Sequence, residues 1–267
     1  MDTDILKEYL ADLPLGGIRY FNKTRSTNDT ALTWSGKGAP DLSLVYTEEQ
    51  TAGRGRGKRS WYTFAGTGLT FSIIIKPSEE EKKRPQLFSI LAALSICEVL
   101  SPLGIQGEIK WPNDVLINGK KICGILLEST WMGEIMESIV LGIGFNVGRK
   151  AVPTQEKLRF PATSLEAEMD GSNNLGMYNE FDRYSLLKNI LKQILFWRNK
   201  YGLQEFKNAW QKRMAYINEQ IEIWGENQEI INGTLLGFEE DGGLRLLDQA
   251  GDVHVMKIGE IHLRPLL

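Results

Sequence analysis

Between Gln50 and Trp61 the chain reads Q-T-A-G-R-G-R-G-K-R-S-W, with three glycines and four basic residues from Gly53 to Arg59. Glycine lets backbone approach a ligand closely and adopt positive φ. Arginine supplies planar, permanently charged donors for carboxylate or phosphate. A loop of this make-up suits closure over an anion, although a merely solvated basic loop has the same composition. A second cluster, Lys110-Trp111-Pro112-Asn113-Asp114, puts an ammonium, an amide and a carboxylate within a few residues. Pro112 cannot donate to a sheet ladder, so this cluster belongs at a strand end, facing a cleft. The plain alternative is a strand-to-turn junction with a surface Lys–Asp pair.

Familiar phosphate signatures fail. Gly57-Lys58 is followed by Arg59 rather than Ser or Thr, and Gly53 lies one residue too close for a P-loop. Gly142-Ile143-Gly144 has Val147 where a dinucleotide fingerprint needs its third glycine. Only two histidines occur, His254 and His262, both near the C-terminus in alternating strand-like sequence. A histidine base or a zinc site is therefore not expected. Chemistry here must run on cations, amides and carboxylates. Cys97 and Cys123 fit neither a disulfide framework nor a metal knuckle, which points to a reducing cytoplasm.

The elements that position these residues are legible in outline. Residues 3–12 read as a short helix and Ile18–Phe21 as a strand. Ser26-Thr27-Asn28-Asp29 offers N-cap residues for a helix through Trp34. Strand-like runs flank the Gly-Arg loop at Leu44–Tyr46 and Leu69–Ile75. Pro85 to Leu100 carries a helical apolar pattern, and its core of Leu87–Leu100 is shorter than the roughly 20 residues a membrane span needs. Asn118-Gly119 between Val115–Ile117 and Ile122–Leu127 is a two-residue hairpin signal. Ile139–Val147 is a further strand, with helices near 179–200 and 203–215. From Asn218 the texture changes to short runs at 221–224, 230–236, 243–247, 253–257 and 261–263, the pattern of a small barrel. Strands in runs between helices argue for α+β rather than a doubly wound sheet.

With 267 residues, 42% hydrophobic and 24% charged, the chain has the composition of a globular protein with room for one large and one small domain. A net charge of −3 argues against a general nucleic-acid binder. The N-terminal sequence lacks the basic-then-apolar layout of a signal peptide.

Taken together, the two clusters resemble the biotin–protein ligases (biotin–acetyl-CoA-carboxylase ligases). Ser26-Thr27-Asn28, Gln50 with Gly53-Arg54-Gly55-Arg56, and Trp61 carry the resemblance. Lys110 to Asp114, Lys121 to Glu128 and Gly142 to Asn146 complete it, so that it covers roughly residues 18–170. Lys58 stands where the family loop G-R-G-R-x-G-R-x-W has a glycine, a departure that bears on the loop's closed shape. The family implies a class II synthetase-like mixed sheet flanked by helices over residues 1–217, followed by an SH3-like β-barrel over 218–267. About 17 residues precede the first core strand, too few for the winged helix of repressor-type members. The resemblance therefore implies the monofunctional type, with no DNA partner and no membrane.

It also implies a two-step reaction. Biotin and ATP give biotinyl-5′-AMP and pyrophosphate, with Mg²⁺ on the triphosphate and no protein-built metal site. A lysine of a biotin carboxyl carrier protein then takes the biotinyl group. The expected roles place Lys110 between the biotin carboxylate and the α-phosphate, with Arg54 and Arg56 on carboxylate or phosphate oxygens. Ser26, Thr27, Asn28, Gln50 and Gly55 would hold biotin. Trp61, Asn113, Gly124 and Asn146 would serve the nucleotide. Asp114 is either a second-step base or a cap or salt-bridge residue. Thr51–Ser60 is expected to be mobile without ligand and to order over the adenylate. A lipoate–protein ligase of related fold, and a non-catalytic nucleic-acid or regulatory module, are the alternatives. A monomer and a homodimer both fit.

Overall fold

The computed structural model describes residues 3–57, 59–154, 158, 160–170, 182–224, 230–257 and 262–265. Lys58, the expected helix start at 179–181 and Ile261 lie outside the described residues. In chain order, α1 (Thr3–Tyr9), β1 (Gly17–Thr24), α2 (Thr27–Ser35), β2 (Ser43–Gln50) and β3 (Gly68–Ile75) come first. They are followed by α3 (Glu79–Lys82), α4 (Leu87–Leu100), β4 (Glu108–Lys110), β5 (Asp114–Ile117), β6 (Lys120–Met132) and β7 (Ile135–Asn146). Next are α5 (Leu165–Asp170), α6 (Arg183–Arg198) and α7 (Gln204–Arg213). Five strands complete the chain: β8 (Gln220–Trp224), β9 (Ile230–Phe238), β10 (Leu244–Leu247), β11 (Val253–Met256) and β12 (His262–Pro265).

Seven strands form one sheet in the order β1-β2-β3-β7-β6-β5-β4. Only β1 and β2 run parallel, because α2 carries the chain across between them. All the other pairs are antiparallel, which makes the sheet mixed. Ser26 caps α2 by accepting from the Asp29 amide at 3.4 Å. The β5–β6 turn uses Asn118 at φ 50° and Gly119 at φ 70°, the two positive φ values a type I′ turn requires.

One face of the sheet carries the main core. Ile125, Leu141, Ile143 and Phe145 point to it and pack with the all-round apolar α4, which lies between the sheet and α6. α4 starts two residues after Pro85. The opposite face carries α2 over a smaller cluster of Ala31, Ala39, Val45, Ile74 and Val140. β6 and β7 run further than their sequence suggests because the hairpin tip projects, leaving Trp131, Met132 and Ile135 exposed. Cys97 and Cys123 are both unpaired and buried, and burial pushes the Cys97 thiol up to about 12.

The last five strands form an antiparallel sheet in the order β11-β10-β9-β8-β12. No ladder joins β11 to β12 among the described residues, so this sheet is open rather than a closed barrel. A register shift at Arg245/Leu246 bends it. Its inner residues Ile221, Ile223, Leu235, Leu244 and Leu246 join the same core cluster as α4 and α7. Trp210 of α7 stacks on Phe238 of β9 with ring centroids 3.4 Å apart, and the Trp111 indole N–H donates to the Gly242 carbonyl at 2.9 Å. A gap in sequence texture near residue 218 is thus bridged by shared packing.

Candidate active site

The site lies on the α2 face of the large sheet, where three glycines leave the sheet bare. Gly124 of β6 pairs with Gly144 of β7, and Leu126 pairs with Gly142. A side chain at Gly144 would run into the Trp61 indole, and one at Gly142 into the Asn28 amide. Gly124 has Trp61 Cζ3 at 3.1 Å and Lys121 Nζ at 2.9 Å from where a Cβ would stand. Gly142-Ile143-Gly144 is therefore a floor that admits aromatic and ligand surface, with Ile143 turned into the core behind it. The cleft above is partly open to solvent and is lined by residues from the start of α2, the glycine-rich loop, β6 and β7.

One end of the cleft is neutral and hydrogen-bonding. The N-terminus of α2 brings Ser26, Thr27 and Asn28 to it, all buried. Gln50 Oε1 accepts from the Thr27 amide at 2.8 Å and from its hydroxyl at 3.2 Å. Ser72 Oγ donates to Asn28 Oδ1 at 2.6 Å and lies 2.8 Å from Thr27 Oγ1. Mutually bonded amides and hydroxyls of this kind suit a neutral polar group inside an apolar pocket.

The other end is cationic. Arg56 and Arg59 come from the glycine-rich loop and Lys121 from β6, while Arg54 of the same loop reaches Asp29 and Glu128 beside Asn28. The loop folds as a short tongue: Trp61 N–H donates to the Gly53 carbonyl at 2.9 Å, and Gly55 N–H to Arg59 at 2.7 Å. Arg59 Nε closes onto the Arg56 carbonyl at 2.8 Å. Gly57 sits at φ 58°, the left-handed conformation this turn needs.

Comparison with known proteins matches residues 20–146 to the biotin/lipoate A/B protein ligase family. A bifunctional ligase/repressor of Bacillus spizizenii is 33% identical over 243 residues, covering 87% of this chain and 70% of that protein. A biotin–[acetyl-CoA-carboxylase] ligase of Paracoccus denitrificans is 33% identical over 239 residues, 86% of this chain and 93% of that one. The chain belongs to the biotin–protein ligase family. In three dimensions, a biotin protein ligase from Aquifex aeolicus, solved in complex with biotin and ATP, superposes with a TM-score of 0.77 at 29% identity. It covers 94% of this chain and 99% of its own.

Not every residue expected from the ligase pattern reaches the cleft. Ser26, Thr27, Asn28, Gln50, Arg54, Gly55, Arg56, Trp61, Asn113, Asp114 and Gly124 all line it. Trp61 is found on the glycine floor itself. Asn113 is pinned to β6 by two bonds with Ile125, its Nδ2 donating to the carbonyl at 2.6 Å and its own carbonyl accepting at 2.9 Å. Asn146 follows Gly142 and Gly144 on the same face of β7 but does not line the cleft, and it donates to the Thr163 carbonyl at 3.0 Å. Lys110 does not line the cleft either. It ends β4 opposite Asp114, and its Nζ lies 3.8 Å from the centroid of the Phe160 ring.

A lysine outside the expected set, Lys121, lines the cleft. Its Nζ is 2.6 Å from Asp114 Oδ1 and 5.5 Å from the Trp61 ring centroid. A bulge explains why. Strict alternation from Cys123 would turn Lys121 toward the core, but the β5–β6 register shifts at Val115/Leu116, so that Ile122 and Cys123 are both buried. The parity flips, and Lys121 lands on the Gly124 face. Its backbone is held on the far side as well, by the Pro161 carbonyl at 2.8 Å and the Thr163 amide at 2.9 Å. Asn146, by holding Thr163, supports this clamp. The one sequence signal was the pair of adjacent apolar residues after Lys121, which breaks period two.

Proposed function

We propose that this chain activates biotin with ATP and transfers the biotinyl group to a lysine of a biotin carboxyl carrier domain. The observation that carries this reading is the make-up of the cleft: neutral donors and acceptors from Ser26–Asn28 and Gln50, a glycine floor under Trp61, and cations from the tongue and β6. Such a layout suits an apolar acid with a neutral polar head and an ionised carboxylate tail.

In the first step a biotin carboxylate oxygen attacks the α-phosphorus of ATP. The bond to the bridging oxygen of the β-phosphate breaks, and pyrophosphate leaves. A carboxyl group is ionised at neutral pH, so no base is needed. The obstacle is repulsion between two anions and charge building on the phosphoryl oxygens, which fixed cations relieve. We assign this bridging role to Lys121, with Arg56 and Arg59 on the phosphate side. Each charge-assisted bond is worth about 1.5–3 kcal/mol. The ureido head is assigned to the Ser26–Asn28 and Gln50 end, and Trp61 to the wall between head and tail.

In the second step a lysine amine attacks the acyl carbon, the bond to the AMP phosphate oxygen breaks, AMP leaves, and the amine gives up a proton to solvent. Asp114 is ion-paired with Lys121, so its assigned role is to aim that ammonium rather than to act as a base. No cluster of three or more His, Cys, Asp or Glu able to hold a metal occurs among the described residues. A Mg²⁺ ion carried on the nucleotide's phosphates would neutralise part of their charge. The catalytic unit is assigned to residues 1–217, braced by 218–267. Among the described residues, no helix is long and apolar enough to cross a membrane.

ATP–pyrophosphate exchange with purified protein tests the first half-reaction, comparing biotin, lipoate and no acid. Biotin-dependent exchange is expected. Exchange driven by lipoate would keep the chemistry and overturn the substrate, and no exchange from folded protein would overturn both.

A further inference from the structure

We propose that Glu128, with Asp29, is a positioning residue that holds Arg54 as the anchor of the Gly53–Trp61 tongue, so that Arg54 serves the cleft through the tongue and not as a ligand contact. This rests on the ligase reading above and assigns new roles within that site.

Both terminal nitrogens of the guanidinium are engaged. Arg54 Nη1 donates to Glu128 Oε1 at 2.8 Å and Nη2 to Glu128 Oε2 at 2.7 Å, while Asp29 Oδ1 lies 2.7 Å from Nη2. A bidentate fork fixes orientation as well as distance. Glu128 also accepts from Asn28 Nδ2 at 2.8 Å, and that amide in turn bonds the Leu126 carbonyl at 3.3 Å and Ser72 at 2.6 Å. One carboxylate on β6 thereby ties together the tongue, the N-terminus of α2 and the polar end of the cleft. The two carboxylates around Arg54 carry more negative charge than it carries positive. An incoming biotin carboxylate or phosphate would meet that excess rather than an available cation. Arg54 is thereby committed to holding the tongue down.

Three variants of the full-length chain distinguish the anchor from a ligand contact: Glu128→Gln, Arg54→Gln and the double. Two readouts are needed. The first is tryptic cleavage after Arg56 and Arg59 in the ligand-free protein, which requires no activity. The second is the KM for biotin and the kcat in pyrophosphate exchange. For the anchor, both single variants raise cleavage and the biotin KM about tenfold or more, with kcat within about twofold, and the double is no worse than either single. If Arg54 instead contacts the ligand, Arg54→Gln raises KM while Glu128→Gln, by releasing a cation, leaves it unchanged or lowers it. That split, or unchanged cleavage in both singles, overturns the proposal. Should Glu128→Gln fail to fold, Asp29→Asn removes one contact only and must move both readouts in the same direction by a smaller factor. Absence of exchange in the wild type would sink the ligase reading, while the cleavage arm would still decide the anchor.

Discussion

Lys121 Nζ sits 2.6 Å from Asp114 Oδ1, across the β5–β6 hairpin and directly above the bare backbone of Gly124. That pair sets a cation at the floor of the cleft with its direction held by a carboxylate. Lys110, at the other end of the β4–β5 turn, faces Phe160 instead.

The two lysines should therefore differ sharply on substitution. Lys121→Ala is expected to cut biotin-dependent pyrophosphate exchange by about a hundredfold or more, the loss of one or two charge-assisted bonds to the transition state. Lys110→Ala should stay within about threefold, since Lys110 does not line the cleft. Equal losses in the two variants would return the bridging role to Lys110.

Gly144 should not tolerate a methyl group while Trp61 is present. Gly144→Ala puts a Cβ inside the indole's van der Waals envelope, and overpacking of this kind costs about 1–3 kcal/mol. The indole is the movable partner, so the cost should appear as a raised biotin KM with little change in melting temperature. In a Trp61→Leu background the same change should cost almost nothing further, a non-additivity that titration of the four proteins would reveal.

Glu48 and Arg183 predict a pH dependence of stability. Arg183 Nη1 donates to Glu48 Oε2 at 2.8 Å and Tyr184 Oη donates to Glu48 Oε1 at 2.8 Å. Burial works against ionisation of Glu48, but these partners outweigh it and hold the carboxyl below its ordinary value. A lowered folded-state pKa adds stability that is present above the ordinary carboxylate pKa, about 4.3, and fades as pH falls through the folded value. Arg183→Met strands the half-buried carboxylate and should cost about 2–3 kcal/mol at pH 7, below the cost of breaking a fully buried pair. Urea melts from pH 7 down to pH 3 should show the gap to wild type closing with acid. A constant gap would mean that Arg183 stabilises by packing alone.

The small sheet should not be separable from the rest. Deleting residues 218–267 would uncover Trp210 and the core residues that pack with Ile221, Ile223 and Leu244, and the truncated chain is expected to aggregate. Trp111→Phe removes the N–H bonded to the Gly242 carbonyl and leaves the buried site underfilled, a loss of about 1 kcal/mol from the hydrogen bond with a cavity cost added to it. A soluble 1–217 fragment with a cooperative melt would show instead that the shared core is dispensable.

Much of this molecule is written locally. The Ser26 cap of α2, the Asn118-Gly119 turn and the apolar α4 each depend on a few neighbouring residues, and each stands where its sequence signal lies. The glycine-rich loop and the Lys110–Asp114 cluster likewise end up beside the same cleft. Which lysine enters that cleft was not legible, because a single bulge reverses the facing of every residue before it on β6, and sequence alternation is blind to an inserted residue. Nor was the partner of Arg54, since Glu128 is 74 residues away and meets it only when the tongue folds across the sheet. The floor of the cleft follows the same rule. Gly142 and Gly144 matter for the space they leave above them, and pairing with Leu126 and Gly124 of a neighbouring strand decides what fills it. Turns and caps are local free-energy choices, whereas strand parity and cross-sheet contacts exist only once the strands have paired.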